Sequence, residues 1–274
     1  MSNFEYCRPA TLLEATSILL ENPGAVLFAG GTDVLVRVKQ RLLSPTLLVD
    51  LKGISELQSV SSVGENGLRI GAMTTLTDLI ENDIIRQRCP VLSQAAAQMA
   101  CVQVRNRGTI GGNLANASPS ADTAPPLMVL DAELELSNGA TSRRVPIVEF
   151  FTGPGETVMT EGEILVGIIV PDIARKAHYI KQTLREAMDI AAVGVCMSKR
   201  LEGDPDPRLV LGAVAPTPIR VPEAEALLAE GKVEEAAKCA AQAAKPIDDV
   251  RSSAEYRRDV IAPLVERAYR QVFA

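Results

Sequence analysis

The chain has 274 residues, a length that points to two domains at about 100–200 residues each and excludes one minimal core. Hydrophobic residues make up 47% and charged residues 23%, ordinary globular usage that excludes disordered, collagenous and disulfide-scaffold classes. Net charge is −6 (28 Lys plus Arg against 34 Asp plus Glu) and aromatics are 3% with no Trp, so the basic patches and stacking rings that bind nucleic acid are poorly supplied.

The longest apolar run, Ile164 to Val170, is seven residues, against the ~20 that a spanning helix needs, and no membrane span is expected. Met1 to Gly24 carries Glu5, Arg8, Glu14 and Glu21 among short apolar pairs, which does not read as a secretory signal, so a cytoplasmic location is expected. Cys7, Cys89, Cys101, Cys196 and Cys239 are odd in number, widely spaced and without a CxxC pair, as suits free thiols in a reducing compartment.

In chain order, Thr11-Leu-Leu-Glu14 has capping-box spacing, and apolar residues through Leu20 continue a helix that Asn22-Pro23-Gly24 stops. Ala25 to Ala29 reads as a short strand, Gly30 to Asp33 as a tight loop, Val34 to Leu43 as an amphipathic helix and Thr46 to Leu51 as a second strand. Alternating Val, Leu and Ile from Ser59 to Gly71, around Gly64-Glu-Asn-Gly67, predict a hairpin, and Thr75 to Glu81 and Val91 to Met99 predict helices. Arg105 to Asp122, rich in Gly and Asn without sustained periodicity, predicts a structured loop. Leu134, Leu136, Val145, Ile147 and Ile164 to Val170 read as strands before a boundary at Pro171. Beyond it, Tyr179 to Leu184, Ala191 to Lys199 and Leu209 to Ala215 predict an antiparallel three-stranded sheet. Helices follow at Glu223 to Ala229 and Val233 to Ala244, and after a Ser252-x-x-Glu255 capping box, with Pro263 expected to break or restart the last.

One histidine, His178, and scattered cysteines cannot supply a zinc or iron–sulfur site, so no metal ligands are assigned. His178 in a strand beside Lys176 and Tyr179 reads as a strand-edge histidine rather than the base of a nucleophilic mechanism. No GxxxxGK[ST] or GxGxxG occurs. A strand does deliver Phe28-Ala29-Gly30-Gly31-Thr32-Asp33 onto a helix, aiming backbone N–H groups and a positive helix end at one spot that favours phosphate. A second polar pair of glycines, Thr109-Ile110-Gly111-Gly112-Asn113, precedes Asn116, Ser118, Ser120 and Asp122. The two loops suggest two sides of one cofactor, with each glycine lacking a Cβ so that backbone can approach the ligand.

These two loops, in this order and spacing, resemble the paired flavin-binding loops of the FAD-binding (medium) subunit of molybdenum hydroxylases, the group containing xanthine dehydrogenase and carbon monoxide dehydrogenase. The likeness extends over Thr152-Gly-Pro-Gly155, Glu163-Ile-Leu165, Arg185 to Ile190 and Ala215 to Arg220, which resemble bacterial xanthine dehydrogenase flavin subunits. The resemblance implies an α+β chain: a two-subdomain FAD-binding fold of the vanillyl-alcohol-oxidase/PCMH type over residues 1–171, divided near 55, then a sheet-and-helix domain over 172–274. It implies FAD contacts from Leu27, Phe28, Ala29, Gly30, Gly31, Thr32, Asp33 and Val34, from Thr109, Ile110, Gly111, Gly112 and Asn113, and from Ala100, Asp122, Leu165 and Lys181. For Lys181 it implies electrostatic tuning of reduced flavin, where the residues alone read as a solvated strand lysine.

The cysteine-rich insertion of benzoyl-CoA-type reductase relatives is missing, and Thr32-Asp33 stand where carbon monoxide dehydrogenase relatives tend to have His-Ser. The implied role is electron transfer: partner subunits carry molybdopterin and 2Fe-2S clusters, and FAD here passes electrons to NAD or another acceptor. No acid–base machinery is needed, because the cofactor carries the redox chemistry. The alternatives are a non-catalytic nucleotide-binding or scaffold protein of the same fold, and a flavin subunit of a carbon monoxide, N-heterocycle or aldehyde dehydrogenase.

Overall fold

The computed structural model describes residues 3–64 and 67–274. Leu47–Asp50 is the middle strand of a three-stranded parallel sheet, flanked by Glu5–Cys7 and Ala25–Phe28. All four of its residues are buried, the continuous burial typical of an interior parallel strand. The flanking strand Glu5–Cys7 is exposed or half-buried throughout and has no apolar alternation by which sequence could reveal it. Helix Leu12–Glu21 has the expected cap: the Thr11 hydroxyl accepts from the Glu14 N–H at 3.2 Å, and the Glu14 carboxylate accepts from the Ala10 N–H at 2.8 Å. The helix after the glycine loop is shorter than expected, Val34–Lys39.

A five-stranded antiparallel sheet follows, in the order Val60–Val63, Gly67–Gly71, Ile164–Val170, Glu133–Ser137 and Ser142–Pro146. The hairpin is formed as expected, with its turn residues Glu65 and Asn66 outside the described set. Every residue of Ile164–Val170 is buried. A register shift between Leu165 and Gly167 puts Leu165 on the side of Ile168 and Val170, in the middle core, while Ile164 and Val166 join the N-terminal core, as a β-bulge re-aims a side chain. Ile147 does not extend a strand; Pro146 is followed by a turn of helix, Ile147–Phe150.

The segment expected to be loop contains helix Ile110–Ala115, whose cap is the Thr109 hydroxyl accepting from the Gly112 N–H at 3.1 Å. Its Gly-Gly-Asn interior has low helix propensity, so the pattern reads as loop. Burial of Ile110 and Leu114 at 0% exposure offsets that deficit.

The three C-terminal strands expected are present as Arg175–Gln182, Val193–Arg200 and Arg208–Gly212, and a two-residue strand, Ile219–Arg220, makes a fourth. Val193, Val195 and Met197 face a core shared with helices Pro222–Ala229, Val233–Ala243 and Ala254–Phe273, while Cys196 faces the middle core. The last helix is capped by Ser253, one residue beyond the expected Ser252, and runs through Pro263 without a break. Pro263 is exposed while Ile261, Leu264, Val265, Ala268 and Val272 are buried, so packing of the opposite face holds the helix across the missing N–H. No helix of the described residues is long and apolar enough to cross a membrane.

Candidate functional site

A cleft of about 840 Å³ runs between the parallel sheet, the middle core and strand Arg175–Gln182. Leu27, Ala29, Gly30, Gly31, Thr32, Asp33 and Val34 line it from one loop, and Thr109, Gly111, Gly112 and Asn113 from the other. Ala100, Asp122, Leu165 and Lys181, far apart in sequence, also line it. Phe28 and Ile110 do not: Phe28 packs its ring beneath Gly31, and Ile110 is sealed in the middle core. Sequence reasoning missed Leu19, Met159 and Gly162 at one end of the cleft and Met188 and Ile190 at the other. Leu19, Met159 and Gly162 carry no motif of their own, while Met188 and Ile190 lie in the Arg185 to Ile190 stretch that shares the family likeness.

The glycines also serve the packing of the loops against one another. A Cβ on Gly30 would stand 2.0 Å from the carbonyl oxygen of Arg107, and one on Gly111 2.6 Å from the carbonyl of Ala72. Gly31 has φ +74°, and its Cβ would meet the Phe28 ring at 2.3 Å. The missing side chains therefore let the two loops and the backbone around Ala72 clasp one another, before any ligand is considered. Ile110 and Gly111 donate their N–H groups to Thr74 and Ala72 at 3.0 and 2.8 Å. The first loop is the opposite case: the N–H groups of Gly30, Gly31, Thr32 and Asp33 have no hydrogen-bond partner among the described residues. Four successive unpartnered amides on a cleft wall, just before a helix, are donors available to an anion such as a pyrophosphate.

That loop is braced from behind. Lys52 Nζ donates to the carbonyl of Ala29 at 3.0 Å, pairs with Asp50 at 2.7 Å and sits 4.2 Å from the Phe28 ring centroid. Burial pushes the Asp50 carboxyl up, but hydrogen bonds from Lys52 and Tyr6 prevail and hold it below the usual range.

At the other end, Lys181 is no solvated lysine: its side chain is 4% exposed, and its ammonium lies 2.9 Å from Asp122 Oδ2. Tyr179 donates to Asp122 Oδ1 at 2.7 Å. Burial raises the Asp122 carboxyl above its ordinary range against the pull of Lys181 and Tyr179. Beyond Lys181, Asp189 accepts from the N–H groups of Leu184 and Arg185, both at 3.1 Å, and closes a tight loop at this end of the cleft. His178 lies off the cleft, its Nδ1 3.2 Å from Gln94 Nε2, with burial lowering its pKa.

Apolar Leu19, Val26, Ile164 and Leu165 at one end of the cleft, unpartnered amides at its middle and a buried ion pair at the other end define a site for an extended dinucleotide. Residues 2–173 match the family described as the FAD binding domain in molybdopterin dehydrogenase, and residues 178–272 match the CO dehydrogenase flavoprotein C-terminal domain. The chain belongs to this family, the FAD-binding medium subunits of molybdenum hydroxylases. It is 36% identical to a xanthine dehydrogenase FAD-binding subunit of Escherichia coli O157:H7, over 98% of this chain and 96% of that one. It is 34% identical to the glyceraldehyde dehydrogenase medium chain of Sulfolobus acidocaldarius, over 98% of each. Carbon monoxide dehydrogenase from Hydrogenophaga pseudoflava superposes with a TM-score of 0.94 at 34% identity, covering 99% of this chain and 97% of that chain. The expected α+β architecture, an FAD-binding domain followed by an antiparallel sheet with helices, is the one observed.

Proposed function

We propose that the cleft carries FAD and that the chain passes electrons from 2Fe-2S clusters of a small partner subunit, by way of the flavin, to NAD. Substrate is hydroxylated at the molybdopterin of a large partner subunit, as in a xanthine dehydrogenase, and the complex works in the cytoplasm. The observation that carries this reading is the row of unpartnered amides from Gly30 to Asp33 at the middle of a dinucleotide-sized cleft. The residues fit the cofactor: the amides take the pyrophosphate, and Leu19, Val26 and Leu165 supply an apolar slot for the adenine. The Lys181–Asp122 pair would supply the charged groups beside the flavin ring. FAD supplies the redox chemistry when bound; the chain binds it, orients it and sets the charge around it.

Two measurements test the reading. The purified chain, or the chain after FAD addition, shows flavin absorbance near stoichiometry, and a chain that stays colourless rejects the cofactor assignment. The co-purified complex forms NADH with its hydroxylation substrate, whereas the isolated chain does not hydroxylate xanthine. Hydroxylation by the isolated, molybdenum-free chain rejects the subunit assignment, and turnover with oxygen, ferredoxin or a quinone but not NAD rejects the acceptor.

A further inference from the structure

Tyr179 is 2% exposed and does not line the cleft, yet its hydroxyl donates to Asp122 Oδ1 at 2.7 Å. The other oxygen of Asp122 accepts from Lys181 Nζ at 2.9 Å, and Lys181 also donates to the carbonyl of Gln98 at 3.1 Å. Tyr179 and Lys181 stand two residues apart on strand Arg175–Gln182 and so project from the same face. Gly194 pairs with Lys181 across the sheet, and a Cβ there would stand 2.9 Å from the Tyr179 hydroxyl. The neighbouring strand thus leaves the slot that the phenol needs to reach the carboxylate. A phenylalanine ring would fill the same core volume without the hydroxyl, so the core alone gives no reason for a tyrosine.

We propose that Tyr179 is a positioning residue for the bound flavin: it holds Asp122 as a carboxylate, and Asp122 in turn fixes and neutralises the Lys181 ammonium on the cleft wall. The inference rests on FAD occupying the cleft with its ring at this end. The ionisable groups around Asp122 are few. Lys181 and Tyr179 touch it, Cys196 lies beside Tyr179, and the Arg185–Asp189 pair closes the end of the cleft. Because burial favours the neutral acid, the two donors decide the form that Asp122 takes. Without the phenol one of the donors that oppose burial is lost, the balance at Asp122 moves toward the neutral acid, and the Lys181 charge is less fully compensated. A net positive charge there favours the reduced, electron-rich flavin. Removing an uncharged hydroxyl should therefore raise the midpoint potential, the opposite of what removing Lys181 does.

The test is spectroelectrochemical titration of the FAD-loaded full chain across neutral and alkaline pH, for wild type, Tyr179→Phe, Asp122→Asn and the double variant. Tyr179→Phe is expected to keep full flavin occupancy and to show a raised midpoint at neutral pH, a shift that shrinks at alkaline pH as Asp122 ionises again. Asp122→Asn should raise the midpoint at every pH, and adding Tyr179→Phe to it should change nothing more, because the hydroxyl acts through the carboxylate. An unshifted midpoint and pH profile in flavin-loaded Tyr179→Phe overturns the inference, as does a double variant in which both shifts add. Should Tyr179→Phe not fold, Asp122→Asn decides alone, and a midpoint that is not raised overturns it. A wild-type chain that takes up no FAD overturns the cleft assignment and this inference together; a flavin-loaded chain with unshifted variants overturns this inference only.

Discussion

Gly30 and Gly112 sit in matching Gly-Gly pairs but tolerate a methyl group very differently. At Gly30 the added Cβ would meet a backbone carbonyl at 2.0 Å, whereas at Gly112 it would meet the Thr109 hydroxyl at 2.9 Å, a side-chain atom. Gly30→Ala should cost roughly 3 kcal/mol, the upper end for overpacking. Gly112→Ala should disturb only the Thr109 cap, at about 1 kcal/mol. Urea unfolding without FAD separates the two, and a wild-type midpoint for Gly30→Ala would contradict the loop clasp. Lys181→Met removes the cation that compensates Asp122, so wherever that carboxyl stays ionised an unpaired negative charge is left near the flavin. The midpoint potential should fall by the equivalent of about 1–2 kcal/mol with FAD retained, and an unchanged potential would return Lys181 to a packing role. Glu163 gives a pH prediction. Hydrogen bonds from Arg143 at 2.7 and 2.8 Å hold its carboxyl at about 2, below the ordinary 4.5. A lowered folded pKa stabilises the fold above the ordinary value, and that stability is lost as pH falls from 4.5 toward 2. Glu163→Gln should therefore be less stable than wild type at neutral pH, with the gap closing on acidification. Parallel stability curves would refute this.

Individual elements show where local sequence and packing disagree. Helix Ala254–Phe273 keeps its course through Pro263 because five buried side chains on its other face pack on the sheet, while Asp259 is left without the i+4 N–H donor. Since Pro263 is exposed, Pro263→Ala should raise stability by about 1–3 kcal/mol in urea unfolding. A lowered midpoint would mean that packing on the sheet requires the bend of the proline. Helix Ile110–Ala115 shows the same rule from the other side: a Gly-Gly-Asn interior reads as loop, and only Thr109 and two fully buried side chains make it a helix. Strand Glu5–Cys7 is fixed by the edge that Leu47–Asp50 offers it, with Glu5, Tyr6 and Cys7 opposite Leu47, Leu48 and Val49.

Across the whole molecule, Asp131 joins the middle core to the C-terminal sheet. It accepts from Arg208 Nε at 3.2 Å and lies 3.5 Å from Arg175 and 3.6 Å from Arg220. The Arg175 side chain is fully buried, and Asp206 holds it as well, at 2.6 Å. Asp131→Ala should cost about 1–3 kcal/mol, less than a buried pair that loses its sole partner. The loss should be accompanied by faster hydrogen exchange in strand Arg175–Gln182, and a change within a few tenths of a kcal/mol would show the ion pairs to be incidental. Because Lys181 and Tyr179 ride on that same strand, this junction also sets where the charged end of the cleft stands.

Much of this was legible in the chain itself. The Thr11 cap, the apolar runs of Ala25–Phe28 and Ile164–Val170 and the two Gly-Gly loops are local signals, written in neighbouring residues whose sterics and hydrogen bonds act within a few positions. They determined most of the elements and marked both walls of the cleft. Tertiary structure alone decided what those elements present to one another. The bulge that turns Leu165 toward the middle core, the clasp that uses up the amides of Ile110 and Gly111, and the pairing of Lys181 with Asp122 across 59 positions all depend on which surfaces meet. Such contacts arise from close packing and from the cost of leaving a buried charge or donor unpaired. That cost exists only once the chain has folded around the group, which is why the contact between Gly30 and the Arg107 carbonyl, and the burial of the Lys181 side chain against Asp122, could not be read from neighbouring residues.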